Sequence, residues 1–159
     1  MLFSLINGST KDHAMTDSIQ TDALLQNAGV RPTQARTAIM DHLLERGIHP
    51  TTEELNTSLI EKGIRIPAAT LYQSLEKLTA AGLLIRFPGT DGQVRYDANL
   101  SHHHHMICTV CQRVIDISIS NPLSSLSILD DKTGEPVLNW TLENAEIELK
   151  GRCPACAKK

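Results

Sequence analysis

Aromatic residues are scarce in this 159-residue chain: one Trp, two Tyr and two Phe, 3% in all. Any core must therefore be built from Leu, Ile, Val and Ala. Long apolar runs are missing too. Stretches such as Leu83-Leu84-Ile85 fall far below the roughly 18 residues of a membrane span, so no membrane partner is expected. There is no surplus of positive charge: the net charge of −3 argues against a nucleic-acid binder held by its overall field, while leaving room for a local basic face. The apolar opening Met1–Ile6 lacks a cationic flank and is too short for a signal peptide, and the expected location is the cytoplasm. Residues 1–14 carry no helical periodicity, which makes Met15 a candidate start. A chain 41% hydrophobic and 21% charged is globular, and its length allows one compact domain or two small ones.

What is present is unevenly placed. All four Cys and four of the seven His lie after residue 100. Before that, from Asp17 to Gly82, the pattern is helical. Asp17 is placed to cap a first helix over Ile19, Ala23, Leu24 and Ala28, ending at Gly29. Thr33 precedes a second, with Ala35, Ile39, Leu43 and Leu44 on its buried face, ending at Gly47. Thr51 and Glu54 form a capping box for a third, which stops at Gly63. Pro67 opens a fourth, with Ala68, Leu71, Leu75 and Leu78 apolar, ending at Gly82. Then the period falls to two. Leu83–Phe87 and Gln93–Tyr96 read as strands joined by a turn containing Asp91-Gly92. Helices followed at once by a hairpin predict a winged helix-turn-helix.

Beyond Asp97, strands are expected at His103–Cys108, Val114–Ile117, Val137–Glu143 and Glu146–Gly151, with a short helix within Asn121–Thr133. The fold class is therefore α+β: an extension over 1–16, a winged-helix domain over 17–97, and a small mixed domain over 98–159.

Cys108-Thr-Val-Cys111 and Cys153-Pro-Ala-Cys156 are two CxxC knuckles separated by 41 residues. In a reducing compartment such pairs hold metal more often than they form disulfides, and two knuckles supply the four sulfurs that a structural Zn(II) prefers. The run His102-His103-His104-His105 is internal and leads directly into the first knuckle, unlike a purification tag. On a strand, His103 and His105 share one face while His102 and His104 share the other, so only one pair can belong to a given site. Asp97 and Asp116 are the nearby carboxylates. A mixed imidazole and carboxylate set suits Fe(II), Mn(II) or Zn(II); a solvated His-rich loop is the alternative. His49, taken alone, reads as a helix-start histidine.

The run Ala28-Gly29-Val30-Arg31-Pro32-Thr33-Gln34-Ala35-Arg36, then His49-Pro50-Thr51, Ala69-Thr70-Leu71-Tyr72, Arg95-Tyr96-Asp97, the His tetrad with its CxxC, and Cys153-Pro-x-Cys156 together resemble the ferric uptake regulator (Fur) family over about residues 20–157. The resemblance implies a homodimeric, metal-dependent transcription factor with a DNA-binding winged helix and a C-terminal dimerisation domain. It implies a regulatory Fe(II) or Mn(II) site of His49, Asp97, His103, His105 and Asp116, beside structural zinc on the four cysteines. Having Asp at both carboxylate positions looks more like the peroxide-sensing repressors of the family, in which bound Fe(II) leads to oxidation of ligating histidines, here His49 and His103. Iron- or manganese-responsive control of uptake genes is the competing expectation. Some relatives use a residue beside the regulatory histidines and a later His for another metal, but no His follows His105, which leaves His102 and His104 without an evident role.

By the same resemblance, Arg31 is the basic residue that enters the minor groove, and Thr70, Tyr72 and Gln73 lie on the exposed side of the fourth helix. Relatives often continue Tyr-Arg-Asn where this chain has Tyr72-Gln73-Ser74; Gln retains adenine readout but loses the contacts of an Arg. Arg36, Arg65 and Arg86 are candidates for phosphates. Residues 1–90 carry eight Lys/Arg against nine Asp/Glu, so binding must rest on placement and on a dimer that reads a roughly palindromic operator. Two competing classes are a metal-dependent hydrolase using His103, His105 and an Asp, and a zinc-bound interaction module without DNA. Against the hydrolase, five protein ligands leave little room for water and substrate, and no HExxH-like base accompanies them.

Overall fold

A computed structural model describes residues 20–119, 128–137 and 147–158. The chain divides between Leu100 and Ser101 into two compact units.

The described residues of the first unit form four helices and a hairpin: α1, described over 20–27, α2 (Gln34–Arg46), α3 (Thr52–Glu61), α4 (Ala68–Ala80), β1 (Ile85–Pro88) and β2 (Val94–Asp97). Local chemistry sets the helix ends. The Thr33 hydroxyl accepts the Arg36 N–H at 3.3 Å, and Thr51 and Glu54 make the reciprocal capping box, with bonds of 3.2 and 2.9 Å. The α4 terminus is a Schellman turn: Gly82 takes φ +71°, a left-handed conformation that a side chain would strain, and the Leu83 N–H reaches the Leu78 carbonyl at 2.9 Å. The same bond pattern closes α1 (Val30 to Leu25) and α3 (Ile64 to Leu59).

The core is aliphatic, as the shortage of aromatics requires. Leu25, Ile39, Met40, Leu43, Leu55, Leu59, Leu71, Leu75 and Leu78 are all but inaccessible, with Tyr96 the one aromatic among them. Two expected faces are rotated. On α1, Leu25 and Thr21 are buried while Ala23 and Leu24 are exposed; on α2, Met40 joins Ile39 and Leu43 while Leu44 is 48% exposed. Adjacent leucines lie about 100° apart on a helix, so only one of each pair can face the core, and periodicity does not choose between them. Ala68 on α4 is likewise exposed. Asp17 and Ile19 lie outside the described residues.

The hairpin begins two residues later than the alternation indicates. Leu83 and Leu84 belong to the core that closes α4, and pairing runs from Ile85↔Asp97 to Pro88↔Val94. This hairpin is the wing.

The second unit contains a three-stranded sheet, ordered β4-β3-β5, from β3 (His104–Cys108), β4 (Val114–Ile117) and β5 (Glu148–Gly151), followed by a single helical turn, α5 (Pro154–Ala157). β3 is antiparallel to β4 and parallel to β5. The helix expected within Asn121–Thr133 falls partly outside the described residues; its described end is a turn instead. There Leu129 bridges Pro136, and the Asp130 carboxylate accepts the N–H groups of Lys132 and Thr133, both at 2.9 Å. An aspartate that satisfies the backbone in this way favours a turn over a helix interior. The strand expected at Val137–Glu143 lies outside the described residues beyond Val137. No described helix is long and apolar enough to cross a membrane.

Candidate metal centres and DNA-facing residues

The first cysteine knuckle is a tight turn. Gln112 N–H bonds the Cys108 carbonyl and Cys108 N–H bonds the Arg113 carbonyl, both at 2.9 Å, with Gln112 at φ +61°. Cys153 caps α5 and donates its N–H to the Cys108 sulfur at 3.3 Å. All four Sγ atoms lie within 4.8 Å of one another, and Cys111 and Cys153 are 3.8 Å apart. That is too long for a disulfide, whose sulfurs are about 2.05 Å apart. It matches the edge of a tetrahedron with Zn–S bonds of about 2.3 Å, roughly 3.8 Å, so the donor set fits zinc. Backbone N–H groups of Cys111, Cys153 and Val110 lower the Cys108 thiol to about 6, which favours the thiolate a metal needs. Cys156 is pushed up to about 12, first by its bond with the Cys153 sulfur: crowded sulfurs do not all ionise without a cation.

On the other part of this sheet, His103 and His105 bring their Nε2 atoms to 2.9 Å. Asp116, opposite His105 on β4, places Oδ1 3.8 Å from His103 Nε2 and 3.9 Å from His105 Nε2. The Ser101 carbonyl can only accept, so its 2.7 Å contact fixes the proton of His103 on Nδ1 and leaves Nε2 as the ligand atom. Two nitrogens and a carboxylate at these spacings suit a divalent ion of borderline hardness.

His102 and His104 pack edge to face on the opposite side, with centroids 5.1 Å apart. His104 is buried, and its Nδ1 accepts the Ile147 N–H at 3.4 Å, securing the approach to β5. That structural task has no sequence signal beyond the alternation of faces.

In the first unit, His49 Nε2 lies 3.5 Å from Asp97 Oδ2, both residues buried, and the Phe87 ring meets the imidazole edge-on at 5.7 Å. The other Asp97 oxygen accepts the Asn99 N–H at 2.7 Å. The segment carrying His49 is fastened to β2 by the Tyr96 N–H, which bonds the Pro50 carbonyl at 3.1 Å, and by Arg95, which donates to the His49 carbonyl at 3.0 Å. Arg95 is buried, and nothing in the sequence around it signals that burial.

Among the expected DNA contacts, Arg31, Thr70 and Gln73 are exposed and Tyr72 is half-exposed. Arg36 donates to the Arg31 carbonyl at 2.7 Å and so steadies the backbone of that segment. The Tyr72 hydroxyl donates to Glu53 of α3 at 3.3 Å, and the Glu53 charge raises its pKa above the usual tyrosine value.

The profile of the ferric uptake regulator family matches residues 27–144. The chain belongs to this family. It is 30% identical to the peroxide-responsive repressor PerR of Staphylococcus epidermidis over 150 residues, 93% of each chain. The ferric uptake regulator of Vibrio cholerae superposes with a TM-score of 0.65 at 26% identity, covering 83% of this chain and 98% of that one. A zinc-bound manganese uptake regulator superposes with a TM-score of 0.68 at 25% identity, covering 84% and 98%. Fur-family proteins are metal-responsive transcriptional regulators that bind DNA operators as dimers, and are not enzymes. The hydrolase reading is thereby set aside, and the cysteine and His/Asp groups are consistent with the structural zinc and regulatory metal of the family.

Proposed function

We propose that this Fur-family regulator is a cytoplasmic, peroxide-sensing repressor. Its regulatory Fe(II) or Mn(II) is held by His49 and Asp97 from the winged-helix unit together with His103, His105 and Asp116 from the second unit, while Cys108, Cys111, Cys153 and Cys156 hold structural Zn(II). The observation that carries the peroxide reading is the pair of aspartates at both carboxylate positions, supported by the similarity to peroxide-responsive repressors along almost the whole chain. A ligand set divided between two units acts as a switch. An ion bound fully in only one arrangement of the units shifts the population toward it by its differential affinity. That arrangement of the homodimer grips a roughly palindromic operator, with Thr70, Tyr72 and Gln73 in the major groove, Arg31 in the minor groove, and Arg36 beside the backbone. Bound Fe(II) supplies the reductive activation of peroxide that oxidises an imidazole, with His49 and His103 as targets.

The similarity to manganese and iron uptake regulators favours a second reading, metal-responsive control of uptake genes. Loading the protein with Fe(II) or Mn(II) and adding peroxide separates the two. The sensor releases DNA only in the iron form and gains one oxygen on His49 or His103 by peptide mass spectrometry. An iron form that keeps its DNA with unmodified histidines overturns the sensing mechanism.

A further inference from the structure

We propose that Arg95 is a positioning residue that couples the metal-binding pair His49–Asp97 to the elements that meet DNA. The inference rests on the reading above, in which that pair binds the regulatory ion and α4 contacts the operator, with Arg86 of the wing a candidate for phosphates.

Arg95 lies two residues before Asp97 on β2, and its side chain is only 5% exposed. One guanidinium nitrogen, Nη1, donates both to the His49 carbonyl at 3.0 Å and to Glu54 Oε2 at 2.9 Å; the other, Nη2, donates to Asp91 Oδ2 at 3.3 Å. Each acceptor belongs to a different part of the unit. The His49 carbonyl is main chain of a metal-ligating residue. The Glu54 oxygen is the same one that accepts the Thr51 N–H in the capping box, so it forms the first turn of α3, the helix whose Glu53 holds Tyr72. Asp91 sits in the turn of the wing, where Gln93 N–H also bonds it at 3.0 Å.

The wing closes over this contact. A Cβ added to Gly89 would lie 2.6 Å from Asp91 Oδ1 and 2.9 Å from Arg95 Nε, so a side chain there would have to displace this ion pair. A buried guanidinium that loses an acceptor carries a large penalty, whereas one that moves together with its acceptors does not. Any displacement of the 49–51 segment against β2 when an ion binds is therefore passed to the start of α3 and to the wing. A planar fork reaching three acceptors is specific to Arg; the single ammonium of Lys keeps the charge but not this geometry.

The test uses full-length protein and a duplex selected from a random-sequence pool by the Mn(II)-loaded wild type. Operator affinity is measured without metal and with saturating Mn(II), and Mn(II) affinity with and without the duplex. In the wild type the two ratios must agree by linkage, at roughly 5–150-fold for an ordinary allosteric pair. In R95K, and in E54Q, which keeps a capping side chain, both ratios fall toward one while metal-free operator affinity changes much less. Were Arg95 merely structural, both forms would lose affinity equally and the ratio would stand, which overturns the inference. Should R95K fail to fold, E54Q decides alone, a retained wild-type ratio counting against coupling. A wild type whose DNA binding ignores Mn(II), or that selects no duplex, defeats the underlying functional reading instead.

Discussion

His103, just before β3, and His105 within it hold their Nε2 atoms 2.9 Å apart on one side of the chain, while His104 between them is buried on the other. With the His103 proton fixed on Nδ1, so short a contact is favourable only if a proton or a cation is shared between the rings. Replacing either outer histidine with Ala is expected to weaken Mn(II) binding by more than the roughly 10–100-fold typical of losing an outer-shell partner. H104A removes the acceptor for Ile147 N–H and is expected to lower thermal stability with a much smaller effect on metal affinity. Mn(II) titration and thermal melts of the three variants check this.

Zinc removal should act on the second unit. Its described residues bury only Ile107 as a large apolar side chain, beside Cys108 and His104, whereas the first unit has the extended leucine core. Apparent zinc-binding energies of about 10–16 kcal/mol in small domains match or exceed the roughly 5–15 kcal/mol that stabilises a whole protein. Chelation, or C153S, is expected to expose the amides of β3 and β5 to hydrogen exchange while those of α2 and α4 stay protected. Within the knuckle, Gln112 is the one described non-glycine residue at positive φ. Q112V should destabilise the zinc-loaded protein by about 1–2 kcal/mol in urea, and Q112G should be neutral or stabilising.

Acid should loosen the wing. The Gln93 N–H, and after it Arg95, hold the Asp91 carboxyl below the usual carboxylate range. A depressed folded-state pKa contributes stability that is fully present above the unfolded value of about 4 and is lost as pH falls through the lower folded value. Hydrogen exchange at Gly92 and Gln93, corrected for the intrinsic pH dependence, is therefore expected to accelerate below about pH 4. D91N should remove that acid step and leave a wing that is weaker at neutral pH.

Tyr72 and Gln73 carry the expected sequence readout of α4, and both are solvent-exposed. Losing a good side-chain pairing with a base is worth about 1–3 kcal/mol, so Q73A is expected to weaken operator binding roughly 5–150-fold and relax preference at one base position. Y72F frees Glu53 of its hydrogen bond and leaves its carboxylate to repel the DNA phosphates, a repulsion that salt screens, so binding is expected to weaken most at low salt and the salt dependence to become shallower. Fluorescence anisotropy across a salt series tests both variants. Unchanged binding in the Y72A/Q73A double variant would contradict a DNA-binding role for this helix.

Much of this was legible in the residues themselves. Thr51 and Glu54, Thr33, and the glycines after α1, α3 and α4 act through bonds a few residues long, so helix ends follow from local sequence. The two knuckles and the alternation of the histidine run likewise follow from spacing, and the family motifs from their order along the chain. Packing decided the rest. Leu25 over Leu24 is a choice between neighbours about 100° apart on a helix, and Met40 over Leu44 a choice between residues one turn apart and about 40° round; what stands opposite settles both. Arg95 stands in the sequence only as part of the Arg95-Tyr96-Asp97 motif, yet it is buried because acceptors 46 and 41 residues away in the chain, the His49 carbonyl and Glu54, come within 3.0 Å. His104 gains its structural partner from Ile147, just before β5 and 43 residues distant. Local hydrogen bonds and periodicity are properties of short segments, and the sequence by itself determined them; the burial of a polar group requires distant partners, and only the tertiary structure brings those together.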